Sequence, residues 1–212
     1  MVSRVCLLAM LAVVAGATAT SSGAWWQHAT GTAMYVVRHD PRLCPSPMCG
    51  GYWVALANGA RTRCLDGLRR PRCYVARAFD VKRGPVGDIP EKWLVRGEIE
   101  AGADKFGVLL VSAMYAPAGK ATVSGGFYRV FDNGVRCVRP PCFSTTVSQV
   151  NGSTRTTVSD LDLAASGANP AEIRRAQWEI ATTAGLYARG RFAKSPDGGR
   201  VFRAFRLYLR VP

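Results

Sequence analysis

Seven cysteines stand at positions 6, 44, 49, 64, 73, 137 and 142 of this 212-residue chain. Cys44 and Cys49 enclose four residues, as do Cys137 and Cys142, and each stretch contains proline. Thiols at that spacing can close a short disulfide loop or supply half of a zinc site. Zinc ligands usually come as closer cysteine pairs with a second pair or histidines nearby. The only histidines are His28 and His39, and neither completes such a set. Disulfides are therefore expected, with no metal and no cofactor.

Disulfides need an oxidising compartment, and the N-terminus supplies the route. Arg4 is the only charged side chain in the first 27 residues, residues 5–17 are an apolar run, and Ala17-Thr18-Ala19 has the small-x-small pattern of a cleavage site. Residues 1–19 are expected to be a signal peptide, with export to the periplasm or the extracellular space. Cys6 leaves with the leader, and six cysteines remain. No later run is long and apolar enough to span a bilayer.

Catalytic candidates are few. His39 is the one plausible base, and its neighbourhood reads as a surface turn before Pro41. The acidic pairs Glu98/Glu100 and Asp160/Asp162 have strand spacing, which puts each pair on one face, usually the wet one. No G-x-S-x-G, H-E-x-x-H or P-loop occurs, so no enzyme and no catalytic residue is expected. The charge says more. Lys and Arg number 28 against 14 Asp and Glu, a formal net charge of +14. Arg61, Arg63, Arg69, Arg70 and Arg72 crowd in and just before the Cys64–Cys73 loop, and Arg139 lies in the last cysteine loop. Arg206, Tyr208 and Arg210 alternate onto one strand face. Arginines beside aromatics bind phosphates, sulfates or carboxylates. The leading expectation is an exported non-catalytic binding or structural module that presents disulfide-braced loops. One alternative is a secreted protease inhibitor offering Met48 or Arg139 from a cysteine loop. Another is a binder of an envelope or extracellular polyanion, such as a polysaccharide.

Self-comparison organises the elements that must hold these residues. Slid by 93 positions, residues 35–59 lie over 128–152 without a gap and match at eight positions: Tyr35, Val37, Cys44, Pro47, Cys49, Val54, Asn58 and Gly59. The same offset sets Arg96-Gly97 on Arg189-Gly190 and Tyr115 on Tyr208. The reading is a duplication: an arm at 20–32, a first repeat at 33–115, a linker at 116–126 and a second repeat at 127–212. Six cysteines allow 15 pairings. The second repeat has only Cys137 and Cys142, so these pair; symmetry then pairs Cys44 with Cys49 and leaves Cys64 for Cys73.

Each repeat reads as five strands, near 34–38, 52–57, 73–81, 93–99 and 106–115, and again near 127–131, 145–150, 154–163, 186–192 and 200–211. Strand two ends at Asn-Gly, a strong turn signal. In the second repeat a helix falls between strands three and four, with Asn169 as cap, Pro170 in the first turn and Glu172 completing a capping box. The fold class is mainly β (α+β), two tandem five-stranded antiparallel units. That order suits OB-like barrels, in which the loop between strands one and two borders the ligand face; a mixed antiparallel sandwich reads similarly.

The block Cys44-Pro-Ser-Pro-Met-Cys-Gly-Gly-Tyr-Trp-Val and the block Arg136-Cys-Val-Arg-Pro-Pro-Cys-Phe-Ser, each followed by an asparagine, resemble a family of secreted bacterial domains of unknown function. In that family a Cys-x4-Cys-Gly-Gly-Tyr block and an Arg-Cys-(Ile/Val)-x-x-Pro-Cys-x-Ser block recur. The resemblance covers about residues 33–212. It implies export and paired cysteines, and it carries no activity or catalytic residue with it.

Overall fold

The computed structural model describes residues 32–102, 105–120 and 124–212. The expected leader, and all but the last residue of the expected arm, lie outside the described residues. The first half builds a closed ring of five strands: β1 (Ala33–His39), β2 (Tyr52–Leu56), β5 (Cys73–Asp80), β6 (Leu94–Ala101) and β7 (Gly107–Ala118). A two-residue hairpin, β3 (Thr62–Arg63) with β4 (Arg69–Arg70), sits in the Cys64–Cys73 loop. Around the ring, β6 pairs with β1, β1 with β2 and β2 with β5, all antiparallel. The ring closes through β5 and β7, which run parallel, and through antiparallel β6 and β7. The all-antiparallel expectation is thus corrected at one seam. Strand five must return beside strand three from the far side of strand four, and that crossover sets it parallel.

Alternation along the strands puts Val37, Tyr52, Val54, Val75, Ile99 and Leu109 into the barrel, all buried. Gly97 marks a bulge in the β6–β7 ladder. A Cβ there would come within 2.2 Å of the Leu110 carbonyl oxygen, so only glycine allows the two backbones to approach.

The second half comprises β8 (Gly126–Asp132), β9 (Thr145–Gln149), β10 (Arg155–Val158), β11 (Asp160–Asp162), β12 (Leu186–Lys194) and β13 (Arg200–Arg210). Antiparallel pairings run β10–β9–β8–β12–β13, and β11 runs parallel to β13. The expected third strand is therefore interrupted at Ser159, with its two pieces pairing on different neighbours. A bulge precedes Gly190, where a Cβ would lie 2.2 Å from the Arg203 carbonyl oxygen. The helix α1 (Pro170–Ala181) falls where the capping residues place it. The Asn169 side chain accepts from the Glu172 N–H, and Glu172 accepts from the Asn169 N–H. Ala176, Ile173 and Ile180 turn onto the second core. Among the described residues no helix is long and apolar enough to cross a membrane.

One continuous sheet joins the halves, because β7 pairs antiparallel with β13 from Tyr115↔Arg210 to Ala118↔Leu207. Strand β7 runs on through Ala118. A third buried cluster, with Met34, Leu94, Tyr115, Tyr187 and Tyr208, lies between the halves. Two asparagines lock this junction. Asn58 Nδ2 donates to the carbonyls of Phe127 (2.7 Å) and Val150 (2.9 Å), and its Oδ1 accepts from the Phe127 N–H at 2.7 Å. Asn151 does the same toward the first half, with Met34 O at 2.7 Å, Ala57 O at 2.9 Å and Met34 N–H at 2.9 Å. Both asparagines sit at positive φ, 62° and 54°, as their turns require.

Three disulfides close Cys44–Cys49, Cys64–Cys73 and Cys137–Cys142. The pairing inferred from internal symmetry is the one formed, and three disulfides fit an oxidising compartment.

Candidate functional site: a ring-lined basic groove on the first half

Because Tyr52 and Val54 of β2 and Cys73 and Val75 of β5 point inward, their neighbours Trp53 and Tyr74 emerge on the outer face. They stand directly opposite in the ladder, with ring centroids 5.5 Å apart at 60°. Phe106, just before β7, meets Tyr74 edge-on at 5.9 Å and 88°. Three rings thus cross three neighbouring strands. The Cys-Gly-Gly block makes room for this. Gly50 takes φ +77°, and a Cβ on Gly51 would lie 2.2 Å from the Val75 carbonyl oxygen, so the entry to β2 presses directly on β5.

The Cys44–Cys49 loop is fastened to this row through a charge. Asp40, only 2% exposed, follows β1 and accepts from Arg42 Nε (3.0 and 3.1 Å) and Nη2 (2.9 Å) and from Trp53 Nε1 at 3.1 Å. Arg42 is thereby held over both rings, 5.2 Å from the Trp53 centroid and 5.1 Å from that of Tyr74. It also donates to Met48 O at 2.9 Å, and Tyr74 OH donates to Pro47 O at 2.8 Å. The Arg42 hydrogen bonds, helped by Trp53, hold the Asp40 carboxyl down at about 2 although burial pushes it up. A carboxyl lowered in the folded state stabilises that state above its ordinary value and loses the effect as pH falls through the lowered one. The Trp53 indole N–H resonance is therefore expected to hold its position from pH 7 to about pH 4 and to move only on approach to pH 2. A midpoint near pH 4 would contradict the Arg42 lock.

The Cys64–Cys73 loop forms the opposite wall. Between the two loops lies a groove of about 1120 Å³. Met48, Trp53, Tyr74, Phe106 and the Cys64–Cys73 disulfide line it, and Arg42, Arg63, Arg70, Arg72 and Lys105 rim it. Arg70 is paired with Asp66 at 2.6 Å and Arg42 with Asp40. Arg63, Arg72 and Lys105 have no carboxylate partner among the described residues. Three cations without a carboxylate partner among the described residues, set beside three rings, have the chemistry that suits an anion with a flat or apolar body.

Of the residues singled out in the sequence, Arg63, Arg70, Arg72 and Met48 meet in this groove. Arg61 and Arg69 do not line it; Arg61 Nη1 donates to Arg69 O at 3.2 Å on the exposed side. Arg139 is exposed on the Cys137–Cys142 loop of the other half. The face expected from Arg206, Tyr208 and Arg210 is corrected: Tyr208 is 3% exposed, buried in the junction against Phe127 at 5.7 Å. His39 is exposed at the end of β1, edge-on to Tyr52. The acidic pairs are held in structural contacts. Glu100 pairs with Arg83 at 2.8 Å, and its hydrogen bond to Glu98 raises the Glu98 carboxyl. Asp162 accepts from the Ala165 N–H at 3.0 Å.

Trp53, Tyr74, Phe106, Arg42 and Lys105 were not singled out by sequence. Strand parity identifies Trp53 as outward-facing, but no local pattern announces that Phe106, more than fifty residues later, joins it.

The model of one protein family matches residues 33–212, the whole of the strand-bearing region. The chain belongs to the DUF6748 family. That family is described as a domain of unknown function. Comparison with curated proteins and with solved structures gives no match. Within this DUF6748 domain the groove belongs to the first half alone. Ninety-three residues on, Val135, Thr146 and Gly199 stand where Arg42, Trp53 and Phe106 would fall.

Proposed function

We propose that the protein is an exported, non-catalytic binding module built from two copies of one OB-like unit, and that the first copy holds an anionic ligand in its groove. The observation that carries this reading is the set Arg63, Arg72 and Lys105, without a carboxylate partner among the described residues and gathered around the Trp53–Tyr74–Phe106 row. In OB-like barrels, the loops joining strands one to two and four to five flank the ligand face. Arg42 and Met48 come from the first of these loops here, and Lys105 and Phe106 from the second.

Duplication is supported by contacts that repeat at the 93-residue offset. The bulges at Gly97 and Gly190 meet Leu110 and Arg203. Asn58 grips Phe127 and Val150 while Asn151 grips Met34 and Ala57. One copy has kept or gained a ligand face; the other carries the helix.

Heparin, a soluble sulfated polyanion, serves as the probe. Arg63→Gln with Arg72→Gln is expected to elute from heparin at clearly lower salt than the wild type. Arg174→Gln with Arg200→Gln, two exposed arginines of the second half, removes equal charge and is expected to shift elution far less. Equal shifts would mean diffuse attraction with no site.

A further inference from the structure

Native surfaces scatter their exposed apolar side chains, and this one does not. Eight large apolar side chains are exposed among the described residues, and six of them lie in or beside the three disulfide-closed loops. Leu43, next to Cys44, is 103% exposed, Met48 within the same loop is 52% exposed, and Leu68, at the tip of the Cys64–Cys73 loop, is 56% exposed. The loops carrying these three side chains face each other across the groove. The loops cannot fold their tips away, because each is closed by a disulfide. The first is also tied down by Arg42 on Met48 O and by Tyr74 on Pro47 O. Arg42 adjoins Leu43 and Arg69-Arg70 follow Leu68 in the chain, and the groove between the loops holds Arg63, Arg72 and Lys105, which have no carboxylate partner among the described residues.

Fixed apolar tips ringed by cations match a surface that is apolar within and anionic at its rim. A soluble polyanion would use the cations and leave Leu43 and Leu68 in water. An anionic bilayer uses both: its headgroup phosphates neutralise Arg63, Arg72 and Lys105, and its acyl boundary takes the leucines. We propose that this end of the first half docks on an anionic lipid surface, with Leu43, Met48 and Leu68 entering the interface and the groove cations holding headgroup phosphate. This rests on the groove being an anion site and adds the source of the anion. On the Cys137–Cys142 loop, where Val138 is 100% exposed, the neighbouring Arg136 is paired with Asp132 at 2.6 Å.

The test is cosedimentation of the full mature chain with vesicles of phosphatidylcholine, alone or with phosphatidylglycerol, with heparin elution measured in parallel. The wild type is expected to pellet with phosphatidylglycerol vesicles and to stay in solution with pure phosphatidylcholine. Leu43→Ser with Leu68→Ser changes no charge and touches only exposed side chains. It is expected to weaken vesicle binding about tenfold or more and to leave heparin elution unchanged. Arg63→Gln with Arg72→Gln is expected to weaken both. Vesicle binding that ignores phosphatidylglycerol, or that survives the serine substitutions intact, overturns the lipid proposal. If heparin retention still depends on Arg63 and Arg72 in that case, the groove reading stands without it. If heparin retention is indifferent to Arg63 and Arg72 as well, both readings fall.

Discussion

Asn58→Ala and Asn151→Ala are each expected to lower the melting temperature by about 5–10 °C, a loss of about 2–3 kcal/mol for a domain of this size. Each substitution deletes three hydrogen bonds between the halves, at about 1 kcal/mol apiece. Each also puts alanine at positive φ, which costs about 1 kcal/mol more. Exposure of part of each network to water keeps the total below the simple sum. Asn→Gly variants relieve the backbone term and retain the hydrogen-bond loss, so they separate the two causes. The double variant removes both locks from the cluster of Met34, Leu94, Tyr115, Tyr187 and Tyr208. Calorimetry is expected to show it melting well below either single variant. Melting within a degree of wild type would mean that the β7–β13 ladder and the apolar cluster join the halves unaided.

A larger effect is expected from Gly190→Ala. The new methyl would sit 2.2 Å from the Arg203 carbonyl oxygen and 2.7 Å from Phe202 Cζ, deep in the second core. Backbone on one side and a fully buried ring on the other leave nothing to yield cheaply, so a loss of about 3 kcal/mol or more is expected. Gly97→Ala meets the Leu110 carbonyl at the same distance and is expected to behave alike. Gly87→Ala opens onto free space and is expected to be neutral or slightly stabilising, since alanine narrows the unfolded ensemble. Urea midpoints for the three variants check this directly. A Gly190→Ala midpoint matching that of Gly87→Ala would show that the bulge can open without penalty.

These residues also mark where sequence reasoning succeeds and stops. Local signals were faithful: the Asn169–Pro170–Glu172 cap lies where its spacing puts it, and the rarity of cysteine made the 93-residue offset specific enough to pair all six. Asn58 and Asn151 do sit in turns and take left-handed φ there. What the turn signal could not convey is that each side chain reaches partners 69 to 117 residues away. Tyr208 failed for a related reason. Alternation along β13 marks two faces, but the face that looks free within one half is covered by the other. The arginine cluster was only half informative: Arg63, Arg70 and Arg72 reach the groove while Arg61 and Arg69 do not, and the hairpin register, which sets Arg63 opposite Arg69, does not sort them that way. The ring row was invisible because it is assembled across β2, β5 and β7, and the parallel seam between β5 and β7 has no local signature.

The charge of this chain is proposed to act through one groove. The most direct measurement of this is the salt dependence of the dissociation constant for a heparin oligosaccharide, since each neutralised cation adds about one to the slope of log affinity against log salt. Arg63→Gln with Arg72→Gln is expected to flatten that slope by about two, and Arg174→Gln with Arg200→Gln to leave it close to wild type. Equal flattening by the two pairs, or none by the first, would contradict the account.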